Sequence, residues 1–238
     1  MAANAIDLNN RPVYGLAQVD RILGLKPKTA ARWIDGYERS GTFYEPVIRP
    51  EKTGSDVVTW GEFIEARLLA QYRKQGVRVQ KMRPAVVRLR EELNTIYPLA
   101  SAQTWLAVEG RELVREVQDA VGLDKRLLLV VTNDQQMIDW SDEAQQFADS
   151  LLWTPVKPRS RTKVVTSLRP DPAVREVEVD PLRRFGEPTT QGIPTEIIRE
   201  LYVAGDPIDM IAELYQLRRD QVEAAVRYEL RTETSKAS

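Results

Sequence analysis

Apolar residues recur at helical spacing near the beginning of the chain. In residues 14–25, YGLAQVDRILGL, the apolar positions fall on one helix face and Gly24 follows as a stop. Pro27 then suits the first turn of a second helix, which carries two separate stripes. The apolar stripe consists of Ala30, Trp33, Ile34 and Tyr37, and the polar stripe consists of Lys28, Thr29 and Arg32. Two short helices joined by a tight turn form a helix-turn-helix motif.

The polar stripe of this second helix has the composition of a DNA contact. In a helix-turn-helix, the second helix enters the major groove and its N-terminal residues reach base edges and phosphates. Lys28, Thr29 and Arg32 occupy those positions, so we expect them to bind DNA. An ordinary solvated helix face is the alternative reading of the same residues.

Two short β-branched runs come next, Val47–Ile48 and Val57–Val58, with a glycine-containing turn between them. This pattern predicts a two-stranded wing beside the helices. Lys52 lies near the predicted tip and Arg49 beside it, so we expect both side chains to contact phosphate.

Two longer helices are predicted after the wing. Thr59 and Glu62 form a T-x-x-E capping box, which begins a helix that runs to about Gln75. After Gly76, a further helix has its apolar face at Met82, Val86, Leu89 and Leu93. The opposite face is basic, with Lys81, Arg83, Arg88 and Arg90.

The middle of the chain, residues 96–156, has a mixed pattern. Leu127–Val131 is an apolar run suited to a buried strand, and Val108–Glu112 resembles a hairpin turn. Ser141 is expected to cap a short helix. We interpret this segment as a small αβ spacer or dimerisation unit. Prolines and cations then predict an extended linker at residues 157–179.

Residues 180–238 predict three short helices. Pro194 lies in the first turn of the first helix and Gly205 ends it. Asp206 is expected to cap the second helix, with Pro207 at its first position. The third helix begins near Arg218 and Arg219 and buries Val222, Ala225, Val226 and Tyr228. The predicted fold class is therefore mainly α (α+β): a winged helix-turn-helix at 1–95, the αβ segment, the linker, and this three-helix domain, which is itself helix-turn-helix-like.

Composition narrows the chemistry. The chain has no cysteine and no histidine, which removes disulfides, thiolate zinc sites and the commonest general base. No paired-acid or glycine-rich phosphate motif is present, so we expect no catalytic residues, no metal and no cofactor, and a protein that is not an enzyme. No apolar run approaches the length of a membrane span and no signal-peptide core is present. We therefore expect a cytoplasmic protein without a membrane partner.

Charge is unevenly distributed along a chain whose net charge is −1. Residues 1–95 have 16 Lys and Arg against 11 Asp and Glu, residues 96–165 have 8 against 10, and residues 166–238 have 10 against 14. The basic first segment favours contact between the helix-turn-helix and DNA. The third segment carries a net charge of −4, which disfavours DNA binding by its own helices, although Arg218 and Arg219 are available there.

The first 90 or so residues resemble the MerR-type winged helix-turn-helix in their order of helix, helix, wing, helix and helix. The resemblance lies in Tyr14, Thr29, Trp33 and Tyr37, and in GVRVQKMR at 76–83. It implies a dimer that binds palindromic operator DNA.

The last 50 residues resemble the small helical domain of VapB-type antitoxins. The matching residues are Asp180-Pro181, Phe185-Gly186-Glu187-Pro188, Gly192-Ile193-Pro194, Gly205-Asp206-Pro207, Gln221-Val222 and Tyr228-Glu229. The resemblance implies an antitoxin of a type II toxin–antitoxin system that neutralises a PIN-domain (VapC-type) ribonuclease and represses its own operon. The common VapB architecture is a short protein with a disordered toxin-binding tail, so this longer chain departs from it.

Two alternatives stay open at the level of sequence. Arg159, Arg161, Lys163 and Arg169 could contact the acidic site of a toxin, or could belong to a solvated tether. The chain could also be a stand-alone, ligand-responsive MerR-like regulator, with Trp105, Trp140 and Trp153 around an effector pocket. An enzyme that relies on Asp and Glu alone is a distant third.

Overall fold

A computed structural model describes residues 8–74, 76–101, 104–105, 108–122, 129–131, 138–155 and 163–237. Short helices dominate these residues, and every sheet among them is an antiparallel pair of strands. The mainly α fold predicted from the sequence is thereby confirmed.

The helix-turn-helix lies near the N-terminus, between two paired strands. Strand β1 (Pro12–Gly15) leads into helix α1 (Leu16–Ile22), and helix α2 (Thr29–Ile34) follows the turn. Gly24 adopts a φ of 61° at the predicted stop. Helix α2 is shorter than predicted, because Asp35 and Gly36 end it before Tyr37.

The predicted wing is wrong in its pairing. Tyr37 begins strand β2 (Tyr37–Arg39), which pairs with strand β3 (Thr42–Tyr44) in a tight hairpin. Val47 and Ile48 form no strand; their backbone N–H groups donate to the carbonyl oxygen of Trp33. Val57 and Val58 belong to strand β4 (Val57–Thr59), which pairs with β1 and not with the preceding run.

Helix α3 (Trp60–Lys74) is the centre of the molecule. Every residue from Trp60 to Tyr72 is buried, including Glu62, Glu65 and Arg67. The predicted capping box is confirmed at its start, where the Thr59 N–H donates to Glu62 Oε2 over 2.8 Å and the Glu62 N–H donates back to Thr59 Oγ1 over 3.3 Å. A 3₁₀ turn (Val79–Met82) and helix α4 (Arg83–Glu92) follow, with Met82, Val86 and Leu89 buried.

The middle segment packs onto this core. A 3₁₀ turn (Pro98–Ala100) precedes helix α5 (Val108–Ala120), so the hairpin turn predicted at Val108–Glu112 is wrong. Strands β5 (Leu129–Val131) and β6 (Ile138–Trp140) pair; Leu127 and Leu128 lie outside the described residues. Helix α6 (Asp142–Ser150) begins at the predicted cap, where Ser141 Oγ accepts from the Ala144 N–H.

The described part of the predicted linker begins with a packed strand. Strand β7 (Leu151–Pro155) pairs antiparallel with β8 (Lys163–Leu168), and the Trp60 indole N–H donates to the Val165 carbonyl oxygen over 2.8 Å. Val165, Leu168 and Val179 are buried in the same apolar cluster as helix α3. The linker prediction is therefore wrong for these residues, because Val165 and Leu168 enter the core.

The C-terminal domain is the predicted three-helix unit. Strands β9 (Thr189–Thr190) and β10 (Ile193–Pro194) precede helices α7 (Thr195–Ala204), α8 (Ile208–Tyr215) and α9 (Arg219–Ala237). Gly205 ends α7 as predicted, whereas Pro207 and not Asp206 occupies the cap position of α8. Ile197 and Tyr202, both on α7, are each 40% exposed, whereas Ile198 is buried.

The C-terminal domain contacts the helix-turn-helix directly. The Tyr14 hydroxyl donates to the Gly186 carbonyl oxygen over 2.6 Å, and the Tyr228 hydroxyl donates to that of Ile22 over 2.8 Å. Glu187 accepts from Gln18 and Arg21 of α1, each over 2.6 Å. These contacts hold α1 between β1 and the C-terminal domain, so we call them the clasp.

Candidate nucleic-acid interface

The angle between helices α1 and α2 is fixed by a buried carboxylate. Asp20, on α1, accepts a hydrogen bond from the Ala30 N–H over 2.7 Å and so caps α2 from outside that helix. Burial raises the pKa of Asp20, and hydrogen bonds from backbone N–H groups at the start of α2 partly offset that effect. A cap of this kind satisfies donors that a helix N-terminus leaves unpaired.

Helix α2 separates an apolar face from a polar one, as its sequence predicts. Ala30, Trp33 and Ile34 are buried, whereas Lys28 and Arg32 are exposed and Thr29 is half-buried. Lys28 precedes the helix with a φ of 65°, in the left-handed region. The side chains of Lys28 and Arg32 form no ion pair with the residues that the structure describes, so both charges face solvent.

The β2–β3 hairpin extends this polar face. The rings of Tyr37 and Tyr44 stack at 4.7 Å, and the Arg32 guanidinium lies 5.8 Å from the centre of the Tyr37 ring. Gly36 allows the hairpin to fold back onto α2, because its φ is +76° and a Cβ there would meet the Tyr44 carbonyl oxygen at 2.7 Å. The hairpin is thus positioned by α2 itself.

Lys52 reaches the same hairpin from the following loop. Its ammonium lies 5.5 Å from the centre of the Phe43 ring, a cation–π distance. Arg39 is also exposed, next to the Ser40-Gly41 tip. The structure therefore brings four of the five predicted DNA-binding residues, Lys28, Thr29, Arg32 and Lys52, to α2 and the hairpin beside it. We call this surface, together with Arg39, the basic face.

Arg49 does not belong to the basic face. Its side chain is 5% exposed and lies between Asp35 and Glu62, with nitrogen–oxygen distances of 2.9 and 2.7 Å. Burial lowers the pKa of Arg49, but the hydrogen bonds that its guanidinium donates to Glu62 and Asp35 outweigh that effect, and the net shift of the pKa is upward. The predicted phosphate contact is wrong, because this guanidinium instead joins the loop 49–57 to the start of α3.

The β2–β3 hairpin was not predicted from the sequence, and Arg39 was therefore not among the predicted DNA-binding residues. The signal was present, because Ser40-Gly41 is a turn dipeptide between two short runs that contain Tyr and Phe. The β-branched runs at Val47–Ile48 and Val57–Val58 have a higher strand propensity, so the wing was predicted there instead.

The residues proposed for toxin contact are only partly described. Arg159 and Arg161 lie outside the described residues. Lys163 is exposed at the start of β8, and Arg169 is half-buried, with Nε 3.8 Å from Glu178 Oε1. The Arg169 backbone bonds to Ser150 and its carbonyl oxygen accepts from Arg67, so the position of Arg169 is structural as well.

The proposed effector pocket loses one of its tryptophans. Trp105 is 4% exposed, lies 5.0 Å from Phe147 between ring centres, and donates to the Leu99 carbonyl oxygen. It is a core residue. Within the described ranges, no group of three or more acidic side chains is placed to hold a metal, and no helix is long and apolar enough to cross a membrane.

The chain matches two known protein families. Residues 12–86 match the family described as "Putative DNA-binding HTH domain", and residues 177–228 match "Protein of unknown function (DUF433)". The first match covers both helices of the motif, the hairpin and all of the basic face.

Two proteins of Mycobacterium tuberculosis (strain ATCC 25618 / H37Rv) are similar over nearly their full lengths. "Uncharacterized protein Rv2308" is 32% identical over 222 residues, which cover 92% of this chain and 90% of its own. "Putative antitoxin VapB45" is 26% identical over 235 residues, which cover 90% of this chain and 92% of its own. The crystal structure of Rv2018 from the same species has the same fold, with a TM-score of 0.70 at 24% identity over 90% of this chain and 97% of that one.

Proposed function

This chain belongs to the family of the mycobacterial protein Rv2308, and from its similarity to the putative antitoxin VapB45 we propose that it is the antitoxin of a type II toxin–antitoxin system. We propose further that it binds operator DNA as a homodimer and so represses its own operon. Its toxin would be a PIN-domain, VapC-type ribonuclease. The proposal has two parts, which rest on different observations.

The basic face carries the DNA-binding part. The cationic side chains in and around the helix-turn-helix fall into two groups, those in internal ion pairs and those exposed to solvent. Arg21 and Arg49 are held in internal ion pairs with Glu187, Asp35 and Glu62. Lys28 and Arg32 are left for solvent on α2, which is the helix that enters the major groove in this motif.

The hairpin would act as the wing. With α2 in the major groove, a hairpin fixed to its C-terminal end reaches the flanking backbone, where Arg39 and Lys52 would meet phosphate. Two such units in a symmetric dimer would read two half-sites of a palindrome.

The similarity to VapB45 supports the antitoxin part, because it spans 90% of this chain and 92% of that protein and so includes both end domains. The C-terminal domain is a poor candidate for a second DNA reader. Arg219 at the start of α9 is paired with Asp209 and Glu223, and Arg218 is paired with Asp220. These charges are already neutralised locally, so we assign this domain to toxin contact.

Arg159, Arg161, Lys163 and Arg169 stay as predicted toxin contacts. Reversal of Arg159 and Arg161 to Glu tests the first two directly, since it should release ribonuclease activity from an inhibited complex. Unchanged inhibition by the double variant would remove these two residues from the mechanism.

The decisive experiment is co-expression with the small open reading frame beside the gene, followed by pull-down and an RNA-cleavage assay. A stable complex in which this chain silences a nuclease supports the antitoxin role, and an operator-binding assay with the same sample tests repression. If no partner is captured and no nuclease is inhibited while operator binding persists, the protein is a stand-alone regulator.

A further inference from the structure

Three consecutive residues of the C-terminal domain form a left-handed turn. Arg184, Phe185 and Gly186 have φ values of 48°, 54° and 77°. Glycine adopts this region without penalty, but a bulky residue such as phenylalanine rarely does, and each such residue stores strain. Strain of this kind persists only where the surrounding structure enforces it.

The clasp enforces this turn. Tyr14 Oη lies 2.6 Å from the place that a Cβ on Gly186 would occupy, and the same hydroxyl bonds to the Gly186 carbonyl oxygen. On the next residue, both carboxylate oxygens of Glu187 are held by Gln18 and Arg21. The helix-turn-helix therefore fixes the end of the turn, and the turn projects its preceding side chains outward.

Phe185 is the side chain that this arrangement presents. It is 91% exposed, more than any other large apolar residue in the described ranges. Single exposed apolar residues on surfaces need no explanation, but this one is held out by a strained backbone that three side-chain hydrogen bonds support. Arg183 and Arg184, on its N-terminal side, are exposed as well.

A charged groove of about 790 Å³ adjoins the turn. Its walls include five arginines, Arg169, Arg175, Arg183, Arg184 and Arg218, and three carboxylates, Glu176, Glu178 and Asp180. Arg169 pairs with Glu178, Arg183 with Asp180, and Arg218 with Asp220. Arg175 and Arg184 have no ion pair with the described residues, so the groove keeps an excess of positive charge.

We propose that Phe185 is the anchor of a protein-docking surface that also includes Arg175 and Arg184 of the adjoining groove. The partner that fits is a protein with an apolar pocket bordered by Asp or Glu side chains. Aromatic residues and arginines that are desolvated together are the typical hot spots of protein interfaces. The inference rests on the proposed function, because it takes the toxin as that partner.

Other occupants fit these residues less well. A phosphate backbone would pair with the arginines but offers no apolar pocket for the exposed ring of Phe185. A second copy of this chain would place the same excess of arginines opposite the arginines of the first copy. A partner with an apolar pocket bordered by acidic residues meets neither obstacle.

The test compares full-length wild type with Phe185→Ala for binding to the PIN-domain protein obtained by co-expression. We expect the dissociation constant of Phe185→Ala to rise by about 30-fold or more, mainly through faster dissociation. Arg184→Gln should slow association and reduce its dependence on salt. Ile96→Ala is the matched control, since Ile96 is 52% exposed, lies outside the C-terminal domain, and should change the dissociation constant by less than about 2-fold.

Each outcome has one meaning. If wild type binds the PIN-domain protein and Phe185→Ala binds equally well, the docking surface is wrong while the antitoxin function stands. If wild type does not bind it, both fail. A loss of operator affinity or a changed oligomeric state, with partner binding intact, would reassign Phe185 to DNA or to a second copy. Phe185→Asn is the second variant, because asparagine tolerates the left-handed region and preserves the turn if alanine does not.

Discussion

Tyr14 and Gly186 touch across 172 positions of sequence, with the tyrosine hydroxyl 2.6 Å from the glycine carbonyl oxygen. Tyr14 is 3% exposed in strand β1, which leads into the helix-turn-helix, and Gly186 ends the left-handed turn of the C-terminal domain. The bond leaves no room between them for even one methyl group on Gly186. The two end domains are therefore coupled through a contact that a single substitution can break.

Replacement of Gly186 by alanine should destabilise the protein more than the same change at Gly205. Both glycines have positive φ, so alanine is strained at either position, by about 1–2 kcal/mol. At Gly186 the new Cβ also overlaps Tyr14, which adds about 1–3 kcal/mol, whereas nothing lies within 4 Å at Gly205. Urea unfolding of the two variants measures the difference, and equal losses would contradict a tight Tyr14–Gly186 contact.

Replacement of Arg49 by methionine should lower the free energy of unfolding by about 3–5 kcal/mol. The reason is that the buried carboxylates of Asp35 and Glu62 would both lose their cationic partner. Arg32→Met is the matched control, since Arg32 is exposed and lies 5.8 Å from the centre of the Tyr37 ring without a buried ion pair among the described residues. It should cost about 0.5 kcal/mol or less. An Arg49→Met variant that keeps its stability but loses operator affinity would restore the phosphate contact that the structure rejects.

Replacement of Lys28 or Arg32 by alanine should weaken operator binding without loss of stability. Each removes one positive charge from the basic face, so the slope of log affinity against log salt should fall by about 1 per contact. Fluorescence anisotropy at several salt concentrations measures this slope. Arg88→Ala is a suitable control, because Arg88 is exposed on α4 and paired with Glu91 and Glu92. A slope that all three variants share with wild type would argue against the basic face.

The buried carboxyl of Glu65 should make stability depend on pH. Burial raises the pKa of Glu65 from 4.5 to about 8, and Oε1 accepts from the Leu99 N–H over 2.9 Å. The folded state therefore keeps a proton that the unfolded chain has lost, and stability should fall as pH rises from about 5 to 8. Glu65→Gln mimics the protonated carboxyl group and should remove this contribution to the pH dependence of the free energy of unfolding.

Thermal melts of wild type and Glu65→Gln across this range test the prediction. As pH rises, the free energy of unfolding of the variant should increase relative to that of wild type. The difference at the alkaline end should be on the order of 2–4 kcal/mol. Parallel curves would mean that Glu65 titrates normally in the folded protein.

The parts of the fold that follow from local chemistry were predictable. The Thr59–Glu62 box, the Ser141 cap and the Gly205 stop each depend on residues within one turn of the chain, and the structure confirms all three. The polar face of α2 was predictable for the same reason, since helical spacing alone separates Lys28 and Arg32 from Trp33 and Ile34.

The wrong predictions concern residues whose structure depends on partners far away in the sequence. Val57 and Val58 pair with β1, more than 40 positions earlier, and no feature near them indicates that choice. Arg49 is buried because Asp35 and Glu62, from two other elements, converge on it. The prolines and cations around residue 163 obscured a strand whose partner is β7 and whose apolar residues fill a core built mostly from the first hundred residues.

The bond between Tyr228 and Ile22 spans 206 positions, so helix α1 cannot be covered until α9 has been synthesised. At ordinary elongation rates of about 5–20 residues per second, the ribosome adds that stretch in about 10–40 s. During this interval the nascent helix-turn-helix keeps one face of α1 open to solvent or to a chaperone. That face of α1 can be covered only after α9 has been translated. Completion of the helix-turn-helix packing is therefore a late event in translation.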